Sequence, residues 1–205
     1  MFEIFASTFH LDSGKPNAAT PELNALSDPA KQLAARFGGC TFERGLYRVL
    51  PSIEIPMVKA LIDTVFPSFA GRTNPFATDW LGRVFATNTD RMDGGDPTVL
   101  MFEPGTGEAL EIPETVANFH DRELIEYKEA ALAVSFYDAW FSNGGTPPGA
   151  GQCIGYKVPL FLGGTDEVGN LEVAAFDVYW TIAAALLTEI RALPIGTRIS
   201  SVEIR

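Results

Sequence analysis

Two histidines, His10 and His120, set the limit on the chemistry open to this chain. Histidine is the commonest metal ligand and the commonest general base near neutral pH. Neither has a partner at ligand spacing: the sequence holds no HxxxH and no CxxC. His10 lies in an N-terminal segment. His120 falls in the expected first turn of an acidic helix, where a solvated or capping role outweighs a catalytic one. No GxSxG nucleophile elbow and no GxxxxGK[ST] phosphate loop occurs. Gly105-Thr106-Gly107 and Gly163-Gly164 lack the lysine or following helix that would cradle a phosphate, and read as tight turns. Paired carboxylates remain, Glu108 with Glu111 and Asp166 with Glu167. They sit among other acids of exposed character, without the apolar surroundings that would split two pKa values. The expectation is a protein with no catalytic residues, no metal and no cofactor.

Charge points elsewhere. The 205 residues carry a net charge of −11. From Glu103 to Asp177, thirteen Asp and Glu face only Arg122, Lys128 and Lys157, a net −10. The first 102 residues hold eleven acids and nine bases. Such an acidic segment repels nucleic acid, whose binders need basic surface to displace counterions. It attracts a basic protein.

At 46% hydrophobic and 20% charged residues, the chain has the composition of a folded globular protein. Its length suits one domain spanning 1–205, with a weak alternative boundary near residues 88–97. No apolar run approaches the ~18–20 residues of a membrane span. The start, Met1-Phe2-Glu3-Ile4-Phe5, lacks the basic-then-apolar pattern of a secretory signal. Two cysteines, Cys40 and Cys153, read as buried free thiols, which places the protein in a reducing cytoplasm.

The elements that must position these acids follow from pattern and punctuation. Residues 13–29 read as loop or short turns. Asp28-Pro29 starts a helix that stops at Gly38-Gly39. Thr41 to Leu50 reads as a strand, and Ser52 to Val65 as an amphipathic helix ended by Pro67. Asp79 to Ala86 reads as a strand bent at Gly82, and residues 88–97 as a turn-rich loop. Thr98–Phe102 and Glu108–Ile112 form a hairpin across a Pro/Gly turn. Asn118 caps a long helix with Asp121 in the capping-box position. Its stripe runs Leu124, Ala131, Leu132, Phe136 and Trp140, and Glu123, Glu126 and Asp138 lie on its acidic outer face. Short strands at Cys153–Leu162 and Asn170–Ala174 precede a last helix, Phe176–Leu193, closed by Pro194 and Gly196. The fold class expected is α+β: a mainly antiparallel twisted sheet with helices packed against it.

Several long motifs occur in order: Asp79-Trp80-Leu81-Gly82-Arg83, then Leu100 to Glu108 (LMFEPGTGE), then Gly155 to Gly164 (GYKVPLFLGG). Asp166-Glu167-Val168, Asn170-Leu171-Glu172 and Val178-Tyr179-Trp180 follow. Over about residues 72–196 the chain resembles the C-terminal domain of immunity proteins that protect bacteria from type VI secretion DNase effectors, once classed as a domain of unknown function. Phe37-Gly38-Gly39 and Gly45-Leu46-Tyr47-Arg48 fit the first half of the same kind of protein, and the pattern is distantly similar to the SUKH group. The resemblance implies a cytosolic antitoxin encoded beside its toxin. Trp80-Leu81-Gly82 and Val158-Pro159-Leu160 read as core and turns rather than contacts.

A nuclease presents a basic groove to DNA, and an acidic surface can fill it. The expected toxin-binding residues are Glu108, Glu111, Glu114, Asp121, Glu123 and Glu126 of the hairpin and helix, with Asp166 and Glu167 of the later turn. Two other classes stand beside this reading: a small-molecule hydrolase using paired carboxylates, and a scaffold protein without a toxin, marked by a large apolar self-interface.

Overall fold

A computed structural model describes residues 1–14, 23–24 and 26–194. Most of the Pro-rich stretch expected as loop, and Gly196, lie outside the described residues. Among the described residues the main sheet has seven antiparallel strands in sequence order: β1 (Leu11–Ser13), β2 (Thr41–Phe42), β3 (Tyr47–Val49), β4 (Thr73–Asp79), β5 (Val84–Asp93), β6 (Asp96–Glu103) and β7 (Glu108–Thr115). A separate hairpin pairs β8 (Gln152–Tyr156) with β9 (Leu171–Ala175). The fold is the expected α+β arrangement, a twisted antiparallel sheet with helices against it.

Helices cover both faces of the sheet's centre, so β4, the first half of β5, and β6 are buried almost throughout. On one face Phe85 meets Tyr47 and Phe119, and Phe76 meets Phe119. This layer holds α1 (Glu3–Thr8), α2 (Asp28–Phe37) and the segment after β7. Val84 and Phe102 pair across the strands and point the other way, where Phe102 packs on Phe66 and Phe69 at the end of α3 (Ile55–Val65). Phe66 in turn touches Trp180 of the last helix.

The structure departs from the sequence pattern in four places. Thr41–Leu50 is a hairpin rather than one strand, because Glu43 and Arg44 turn left-handed (φ 55° and 60°). Long-range bonds hold that turn: His10 N–H donates to Glu43 Oε1, Gly45 N–H to Asp12 Oδ2, and Tyr137 O–H to the Arg44 carbonyl. Asp79–Ala86 is also a hairpin, β4 to β5, and β4 begins at Thr73, ahead of the expected strand. Residues 88–97 are not a loop: β5 continues to Asp93, turns at Gly94-Gly95, and β6 begins at Asp96.

The long acidic helix is broken. Thr115, not Asn118, caps it, its Oγ1 accepting from Asn118 N–H at 3.3 Å. α4 (Val116–Asn118) runs through one π turn (Phe119–Glu123) into α5 (Leu124–Glu126), then α6 (Lys128–Leu132) and α7 (Val134–Ser142). Ala133, left-handed at φ 50°, separates the last two. Glu129 secures the break by accepting from both Ser135 N–H and Ser135 Oγ–H. The last helix, α8, spans Phe176–Arg191 and packs on α3 and on the β8–β9 hairpin.

Candidate interaction surface

The turn between β4 and β5 places four nonpolar or charged residues, Trp80-Leu81-Gly82-Arg83, in the interior. Such a turn normally needs solvent for its amides. Here the Asp79 carboxylate supplies the acceptors: Leu81 N–H and Arg83 N–H donate to Oδ1 at 3.1 and 3.0 Å, and Arg83 Nε–H donates to Oδ2 at 2.6 Å. Arg83 also reaches the Ala131 carbonyl at 3.0 Å, which ties α6 to the sheet. Burial raises the Asp79 carboxyl above its ordinary value even with Arg83 against it. Burial also penalises the Arg83 charge, but Asp79 outweighs it and the guanidinium stays protonated. Two of the three tryptophan indoles tie the turn to its neighbours: Trp80 Nε1–H donates to the Leu132 carbonyl at the end of α6, and Trp180 Nε1–H to the Gly82 carbonyl, each at 2.8 Å. Gly82 is required twice over: its φ is +74°, and a Cβ there would lie 2.9 Å from Cys153 Sγ. The motif is scaffold.

From this scaffold the later segment is hung. Ile154 N–H donates to the Trp80 carbonyl, which docks β8 beside the turn. Tyr156 O–H donates to Asp166 at 2.7 Å. Glu103, raised chiefly by burial, feels Arg83 and also the nearby Asp79, Asp166 and Glu108.

The eight acids expected as contacts divide among several places. Glu114, Glu123 and Glu126 gather around Arg122, which is ion-paired with Glu114. Partial burial and the neighbouring Glu114 hold Glu123 above the usual carboxylate range. Glu108 and Asp166 stand together near Glu103, with exposed Glu167 next to Asp166. These two groups mark opposite ends of β7, about 20 Å of strand apart. Between them Glu111 pairs with Arg91 of β5 at 2.7 Å. β7 is an edge strand, and its acids with Pro113 also guard that edge against pairing with other chains.

Asp121 is occupied inside the chain. Its two oxygens accept from Phe2 N–H (2.9 Å) and Phe5 N–H (3.0 Å) and so cap α1 from across the molecule. Asp121→Ala is expected to lower folding stability by about 1–2 kcal/mol, the usual worth of an N-terminal cap. Thermal unfolding checks this, and an unchanged melting temperature would contradict it.

His120 is not solvated, as its helix position had indicated, but wholly buried among Phe2, Phe5, Phe76 and Phe119. Its Nδ1 lies 2.7 Å from the Val116 carbonyl, so Nδ1 carries the proton; Nε2 then accepts from Tyr47 O–H at 2.9 Å. Burial lowers its pKa to about 4. With no substrate-facing nitrogen it is a structural residue. Both cysteines are free and buried. Among the described residues no group of three or more His, Cys, Asp or Glu could hold a metal, and no helix is long and apolar enough to cross a membrane.

One apolar feature has no counterpart among the sequence expectations. Val158, Val173, Val178 and Ile182 are 37–51% exposed and line a groove of about 510 Å³ between β9 and α8, with Lys157 and Glu172 at its sides. Val178 and Ile182 stand four apart, off the buried stripe of Tyr179, Ala183 and Leu186, and that spacing was the available signal.

No family model matches the chain, and no curated protein matches it. Among solved structures it is similar to the crystal structure of Atu4351 from Agrobacterium tumefaciens, at 17% identity and a TM-score of 0.65. The likeness covers 90% of this chain and 88% of that one. What the two share is the fold.

Proposed function

We propose that this chain is an immunity protein, an antitoxin of the cytoplasm that binds a DNA-cleaving type VI secretion effector and fills its basic groove. One observation carries the reading. Nine carboxylates of the Glu103–Asp177 segment are exposed, while each of its three cations is engaged within the chain. Arg122 pairs with Glu114, Lys128 with Glu43, and Lys157 donates to the Gly169 carbonyl. The exterior left over is strongly negative. The order of motifs along residues 72–196 supports the same reading, and the aliphatic groove beside α8 offers the desolvated contact that charge alone does not provide.

Co-expression with the neighbouring open reading frame tests it. Rescue from toxicity together with co-purification is expected; neither occurring would sink the proposal.

The carboxylates free of ion pairs among the described residues are the ones to reverse. Glu108→Lys, Glu126→Lys and Glu167→Lys together are expected to slow association with the toxin about tenfold or more at low salt and to flatten its salt dependence. Stopped-flow mixing reads this directly, and an unchanged rate would remove steering from the account.

A further inference from the structure

On the side of α8 away from the aliphatic groove, a pocket of about 280 Å³ opens between α3, the sheet and the first turn of α8. Leu50, Met57 and Phe176 give it apolar walls, and Arg48, Glu54 and Asp177 line it with charge. Arg48 and Glu54 satisfy each other in a two-point pair, both N–H···O distances 2.8 Å, so together they add no net charge. Asp177 is different. Its Oδ1 accepts from the neighbouring Val178 N–H, it makes no ion pair among the described residues, and it is exposed. The pocket therefore has a net charge of −1. An anion would meet Glu54 and Asp177 with Arg48 already committed, and an apolar group would strand the Asp177 carboxylate. A cation on an apolar stem fits both the walls and the charge. Met57, 40% exposed, leaves an uncovered apolar rim at the pocket.

We propose that this pocket receives a single arginine side chain from a basic protein partner. The arginine stem lies along Met57 and Phe176, and the guanidinium meets Asp177. Arginine suits the site better than lysine because its planar, weakly hydrated head tolerates apolar and aromatic walls. An arginine seated in a pocket with an aliphatic rim is the usual composition of a binding hot spot. The inference deepens the antitoxin reading by naming the side chain that the acidic exterior guides in.

The test needs no toxin. Nα-acetyl-arginine N-methylamide is titrated into the ¹⁵N-labelled full chain, with the citrulline analogue as the neutral isostere and the lysine analogue as the alternative cation. Saturable shifts at Gln152, Met57 and Asp177 are expected with the arginine probe in the millimolar range. The citrulline probe should give none, the lysine probe should bind more weakly, and Asp177→Asn should weaken arginine binding about tenfold. Equal shifts with citrulline, no saturable shift, lysine binding as well as arginine, or indifference to Asp177→Asn would each overturn the proposal. Shifts at these residues on raising protein concentration without probe would assign the pocket to a second copy and overturn it too. Arginine binding without toxin rescue would leave the pocket standing and sink the antitoxin reading; rescue without arginine binding would do the reverse.

Discussion

Arg83→Ala is expected to destabilise the fold by about 3–5 kcal/mol, the cost of leaving a buried charge without its partner. Removing the guanidinium strands the Asp79 carboxylate, which is 4% exposed. It also takes the donor from the Ala131 carbonyl, loosening α6 from the sheet. A buried pair can often be replaced by apolar residues at little cost. Here it cannot, because Asp79 also accepts the Leu81 and Arg83 amides. The double variant Asp79→Leu with Arg83→Met should therefore recover only part of the loss. Urea unfolding followed by tryptophan fluorescence measures both. A loss under about 1 kcal/mol for Arg83→Ala, the range of exposed ion pairs, would show that the pair is not the organiser of the turn.

The second large effect depends on pH. In the folded chain His120 binds a proton only near pH 4, whereas the unfolded chain does so near its ordinary 6.5. Between those values the unfolded state holds the extra proton, so stability falls as the pH falls. The contribution is intact above pH 6.5 and lost progressively down to about pH 4, for a total of about 3–4 kcal/mol at 1.4 kcal/mol per unit. Glu103 and Asp79, both held high by burial, act in the opposite sense and gain stability in acid. The His120 share is therefore read as a difference. His120→Gln should lower stability at pH 7.5 but flatten its decline between pH 6.5 and 4 relative to the parent. Parallel curves would mean that the imidazole charges in the folded state as readily as in the unfolded one.

What the sequence disclosed, and what it hid, divides by how local the cause is. The hairpin from Thr98 to Ile112 was legible because its turn, Glu103-Pro104-Gly105-Thr106-Gly107, carries its own conformational preferences. The tip of β5 was not, since Asp90, Arg91 and Asp93 are solvated on both faces and a strand wet on both sides shows no alternation. The break at Ala133 was hidden by the best of helix formers; it is held by Glu129 reaching Ser135 and by Arg83 and Trp80 taking the Ala131 and Leu132 carbonyls. Asp121 looked like a capping-box acid by local spacing, yet the amides it caps are more than a hundred residues away. The polar neighbours of His120 on its own helix suggest a solvated ring, while the four phenylalanines that bury it come from α1 and its N-cap (Phe5 and Phe2), from β4 (Phe76) and from position 119. The acidic exterior was visible in composition alone. Its division into two groups along β7 was not, because Asp166 is brought to the Glu108 end only by the docking of β8 and the Tyr156 bond. The arginine pocket was invisible for the same reason: Glu54, Gln152 and Asp177 are brought together by the packing of α8 on α3.

The antitoxin reading is tested most directly by mixing the purified chain with the purified product of the neighbouring gene and following DNA cleavage as the chain is added. Cleavage should fall in proportion to added chain and end at a fixed ratio, with a complex of the two proteins seen by light scattering. Undiminished cleavage, with both proteins migrating alone, would contradict it.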